Sequence, residues 1–89
     1  MKPRIHKFYL APARQTVLHV SPDAKIIHVH AQGDLVCVWL IVPDGKLAPV
    51  VFTCLNTGQE IPDDAGRYVG TAHLHAGRTV VHVFAGAPL

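Results

Sequence analysis

Acidic residues, serine and long apolar runs are scarce in this chain, and each scarcity removes a class of function. Charged residues make up 16% of the 89 positions, against about a quarter in ordinary soluble domains. The six acids are Asp23, Asp34, Asp44, Glu60, Asp63 and Asp64. Asp63 and Asp64 are adjacent, so their side chains diverge, whereas acid–base carboxylates converge across a cleft from separate elements. Ser21 is the one serine, and it sits in a turn beside Pro22 with no Gly-x-Ser-x-Gly elbow around it. Neither Gly-x-x-x-x-Gly-Lys nor Gly-x-Gly-x-x-Gly is present, which removes the common phosphate-cradling loops. No run approaches the length that spans a membrane. The start, Met1-Lys2-Pro3-Arg4-Ile5-His6, has charge but no apolar stretch behind it, so no leader peptide is expected and the protein reads as cytoplasmic.

Cysteine is also sparse. Cys37 and Cys54 both lie in strand-like segments, which leaves open a disulfide or two reduced, buried thiols, the latter suiting the cytoplasm. A Cys54–His dyad is arithmetically available, although buried cysteines are mostly inert. The basic residues are Lys2, Arg4, Lys7, Arg14, Lys25, Lys46, Arg67 and Arg78, giving a net charge of +2. Apart from the N-terminal group they are scattered, and no clustered stripe signals a nucleic-acid binder.

What the chain does have is turn chemistry at regular intervals. Ser21-Pro22-Asp23, Gly33-Asp34, Pro43-Asp44-Gly45, Asn56-Thr57-Gly58, Pro62-Asp63-Asp64-Ala65-Gly66 and Ala76-Gly77 all read as connectors. Between them lie short runs rich in Val, Ile, Thr, Phe and Tyr. The pattern predicts strands over 4–11, 15–20, 25–32, 35–42, 48–55, 68–75 and 78–85, with a short helical turn within 59–66. The expected fold is all-β: one domain over 1–89, a small antiparallel sandwich or partly open barrel of about seven strands, mostly a meander. All six acids fall in connectors. The run Leu35–Val42 is continuously apolar, as in a central strand covered on both faces, and it places Trp39 in the core or at an interface.

Seven histidines are the compositional oddity. His28 and His30 are two apart, so on a strand both point to one face, with Ile27 and Val29 pointing to the core. His73 and His75 repeat the arrangement around Leu74. Two such pairs on neighbouring strands would offer four imidazoles to zinc or copper. Without that adjacency, they are half-polar residues on an exposed face, and no cofactor is required. His82, between Val81 and Val83 and flanked by Val80 and Phe84, reads as a buried, hydrogen-bonded histidine in the core or at an interface.

Taken in order, Lys7-Phe8-Tyr9-Leu10, Gln15-Thr16-Val17, Ala24-Lys25-Ile26-Ile27-His28-Val29, Trp39-Leu40-Ile41-Val42, Thr57-Gly58, Ile61-Pro62, Tyr68-Val69-Gly70-Thr71 and Val81-His82-Val83-Phe84 resemble a family of short uncharacterised bacteriophage and prophage proteins. The resemblance spans nearly the whole chain. It departs after Pro22, where Asp23 and Ala24 stand in place of the family's glycine, and in its higher histidine content. It implies a phage-type accessory protein and supplies no catalytic residues. The expected function is non-enzymatic binding of a host component in the bacterial cytoplasm, either a host protein, as in counter-defence, or a small nucleotide signal sequestered in a pocket between subunits. The alternatives are a histidine-rich metal-binding protein and a phage structural component. A short chain with few charges also favours a homo-oligomer, most simply a dimer with histidine at its interface that weakens as pH falls through ~6.5.

Overall fold

Glycine, proline and Asx punctuation sets where the strands begin and end. A computed structural model describes residues 2–89. Its strands are β1 (Arg4–Leu10), β2 (Gln15–Val20), β3 (Lys25–Gln32), β4 (Leu35–Val42), β5 (Ala48–Asn56), β6 (Arg67–Leu74) and β7 (Thr79–Ala85). A short 3-10 turn occupies His75–Gly77. The strands form two antiparallel sheets and no closed barrel, so the fold is all-β as the sequence predicts. The stretch 59–66 is not helical: Pro62 instead opens a tight turn in which the Ala65 amide donates to the Pro62 carbonyl at 3.1 Å.

The topology is not a meander. One sheet has the order β1-β4-β3 and the other β2-β5-β7-β6. Only β3–β4 and β6–β7 are neighbours both in sequence and in the sheet. The two sheets pack face to face through Leu10, Val29, Val36, Val38 and Leu40 on one side and Val20, Val50, Phe52, Cys54, Ala72, Leu74, Val81, Val83 and Ala85 on the other. Each set follows the two-residue alternation of a pleated strand. At one margin β3 packs on β6. Gly70 permits that approach, because a Cβ there would lie 2.7 Å from the Val29 Cβ.

Alternation also decides the fate of β4. Val36, Val38 and Leu40 point into the core, so Cys37, Trp39 and Ile41 point to the opposite face. Trp39 is therefore half-buried on the outer surface of the three-stranded sheet and not part of the core. A bulge between Ile26 and His28 takes Ile27 out of the alternation. Ile27 is 47% exposed, and Ile26 packs on the core in its place, contrary to the inward position expected for Ile27.

Candidate functional site

The outer face of the four-stranded sheet holds a cavity lined by β5, β6 and β7 and the loop after β5. Inward-pointing Val81 and Val83 turn Val80, His82 and Phe84 of β7 outward, as the sequence predicts for their relative facing. Register then sets their neighbours. His82 lies between Leu55 of β5 and Thr71 of β6, and Phe84 lies between Thr53 and Tyr68. The Tyr68 and Phe84 rings meet edge to face, with centroids 5.8 Å apart. After Asn56 the chain turns over this surface. Gly58 has φ +95°, a left-handed turn conformation that suits glycine. The Gln59 side-chain oxygen accepts from the Asn56 amide at 2.6 Å, and the Gln59 amide donates back to the Asn56 carbonyl at 3.1 Å.

The result is a pocket of about 250 Å³ with an apolar body of Leu55, Ile61, Tyr68 and Phe84 and a polar strip at Thr57 and His82. His82 Nε2 lies 2.8 Å from Thr57 Oγ1, and its Nδ1 lies 3.1 Å from Thr71 Oγ1. Thr71 Oγ1 is in turn 2.6 Å from the Tyr68 hydroxyl. A neutral imidazole donates from one nitrogen and accepts at the other, while hydroxyls do both. The chain Tyr68–Thr71–His82–Thr57 can therefore run in either direction, and a ligand that donates or accepts at Thr57 can set it. His82 is half-buried and hydrogen-bonded on the outer face, rather than buried in the core.

A second cavity, of about 310 Å³, adjoins the first and shares Asn56 and Thr57 with it. Its other lining residues are Arg78, Thr79 and Val80. The Arg78 Nε donates to the His75 carbonyl at 3.2 Å, which holds the guanidinium stem at this rim. Among the described residues no acidic side chain lines either cavity. The joined surface is apolar and aromatic at one end and cationic at the other.

The histidine pairs do not assemble. His28 and His30 are exposed on the outer face of the three-stranded sheet, with ring centroids 5.6 Å apart. His73 is exposed on the outer face of the other sheet. His75 has left β6 altogether: it adopts φ +53° in the four-residue link to β7, which replaces the two-residue Ala76-Gly77 link expected from sequence. There its Nε2 lies 3.7 Å from Asp34 Oδ1 and its Nδ1 lies 3.1 Å from Thr79 Oγ1. The faces carrying His28 and His30 on one side and His73 on the other point away from each other across the core. Among the described residues no three histidine, cysteine or acidic groups come together as a metal site.

The cysteines are free and buried. Cys54 points into the core, away from outward-facing His82, so no Cys–His dyad forms with that residue. Burial pushes the Cys54 thiol from 9.0 up to about 11. The neutral thiol is favoured by folding, so this contribution is fully present below pH ~9 and is lost as pH rises towards 11. Under native conditions at pH 8, neither thiol is expected to react with an aromatic disulfide reagent. Both should react after denaturation, and native-rate labelling of Cys54 would contradict its placement.

Fold and site together define a two-sheet all-β domain with a hydroxyl-flanked histidine pocket on one outer face. The chain belongs to the family of the domain of unknown function DUF7352, whose model matches residues 1–88. No curated protein and no solved structure matches it. Among the described residues no helix is long and apolar enough to cross a membrane.

Proposed function

We propose that the domain is a non-catalytic binding module for a small ligand that pairs a flat heteroaromatic ring with an anionic group, as in a nucleoside monophosphate. The observation that carries the reading is that the two cavities share Asn56 and Thr57 in their walls. The ring enters the apolar pocket against Tyr68 and Phe84, and its polar edge meets Thr57 and His82. The anion reaches Arg78, whose planar fork suits phosphate oxygens. The hydroxyl-bound imidazole lacks a carboxylate partner in the cavity, which favours recognition over acid–base turnover. The resemblance to phage and prophage proteins supports a role in the bacterial cytoplasm, where the module withdraws a host nucleotide from use.

Titration calorimetry with ribonucleoside 5′-monophosphates and the matching nucleosides tests this. The phosphate form should bind more tightly. Arg78→Ala should weaken the monophosphate by roughly ten-fold or more, the worth of a charge-assisted hydrogen bond, and leave the nucleoside nearly unchanged. Equal affinity for the two forms would remove the anionic half of the reading, and no binding by either would overturn it.

A further inference from the structure

We infer that the outer face of the three-stranded sheet is a second, independent binding surface, and that its occupant is single-stranded nucleic acid. The strand registers assemble a grid that no stretch of sequence contains. Tyr9, Cys37 and His30 form one row across β1, β4 and β3. Lys7, Trp39 and His28 form the next, and Ile5, Ile41 and Lys25 the third. Tyr9 is 53% and Ile5 65% exposed. The Trp39 ring lies 5.5 Å from His28, tilted by 44°, and the Lys7 ammonium stands 5.0 Å over the Tyr9 ring. Lys7 also donates to the Gln32 side chain at 2.6 Å.

Charge selects the occupant. The grid holds two lysines and two histidines and no acid, because every acid of the chain lies outside its three rows. A second copy docked on this face about a two-fold axis would double the number of lysines in the interface, with no carboxylate in the grid to pair them. A single strand instead offers phosphates to the lysines and unstacked bases to Tyr9, Trp39 and the imidazoles. Aromatic platforms inside a positive surface bind single strands in this way, with little sequence preference. The spacing of successive rows comes from the pleat, so the platform is rigid before the ligand arrives.

Trp39 is the only tryptophan, so its emission reports directly on this face. Adding a dodecamer of deoxythymidine should quench it, with an affinity that falls steeply as salt rises. Tyr9→Ala should weaken binding by roughly ten-fold. Lys7→Gln with Lys25→Gln should weaken it and flatten the salt dependence, and a retained β circular dichroism spectrum should show that the variants fold. Absence of quenching and of any fluorescence-anisotropy change on a labelled dodecamer would overturn the inference. So would sedimentation showing a dimer that buries Trp39 and excludes the oligonucleotide.

Discussion

Gly66→Ala is expected to cost the domain about 3 kcal/mol or more, the sum of left-handed backbone strain and overpacking. Gly66 has φ +90° just before β6. An added Cβ would clash with the Ala85 carbonyl oxygen and would lie 2.8 Å from the Gly86 Cα. Both obstacles are backbone, and neither is free to move. Ala85 is paired with Phe52 and with Arg67, and the Gly86 amide donates to the Val51 carbonyl at 2.9 Å. A domain of this length has about 4–13 kcal/mol of stability in all. The thermal midpoint should fall by ~12 °C or more. Gly58→Ala is the control. It carries φ +95° with nothing within 4 Å, so it incurs only the backbone strain and should lose less than half as much. Equal losses would mean that the close contact with Ala85 does not exist.

Phe52→Ala is expected to be as severe, at about 3–5 kcal/mol. Phe52 is fully buried and is the largest such side chain in the core. It lies on β5 between β2 and β7, facing the three-stranded sheet, so its removal opens a cavity between the layers. Trp39→Ala removes more atoms but should cost much less, because Trp39 is half-buried on the outer face. Urea unfolding of both variants decides the order. A larger loss for Trp39 than for Phe52 would place β4 in the opposite register and would dismantle the surface grid built on it.

That comparison also shows how far the sequence could be read. Strand positions were legible to within one residue, because Gly33, Gly45 and Gly58 sit where turns require positive φ and because Val, Ile and Thr fill the spaces between. Strand order was not legible. The pairings β1–β4 and β2–β5 join segments far apart in the chain, and short connectors made a meander look simpler. Of the two places expected for Trp39, core or interface, the core is the one the fold removes, and for a different reason. The run Leu35–Val42 is apolar at every position, so periodicity could not say which parity faces the core. The bulge at Ile27 was equally invisible, since Ile26 and Ile27 are the same residue and only the neighbour's register distinguishes them.

The candidate site was partly legible. The sequence singled out His82 as hydrogen-bonded and placed Val80 and Phe84 on its face. It gave no sign of Thr57, Tyr68, Thr71 or Arg78 as its companions, because these come from a loop, two positions of β6 and a turn. Thr57-Gly58 read as turn chemistry alone. The same distribution hid the basic surface. Lys7 and Lys25 look scattered along the chain and share a face only through β4. The histidine pairs were the opposite case, a clear local pattern that the fold does not assemble. His75 leaves its strand at a left-handed turn, and His73 faces away from His28 and His30.

The central claim is that a ring-and-anion ligand occupies the surface from Phe84 to Arg78. The most direct measurement is a two-dimensional amide and imidazole NMR titration of the labelled protein with a ribonucleoside 5′-monophosphate. The proposed site predicts saturable shifts confined to residues around Leu55, Thr57, Tyr68, Thr71, Arg78 and His82, with the His82 ring signals among those that move. Unchanged signals at those positions, or shifts confined to other parts of the fold, would contradict it.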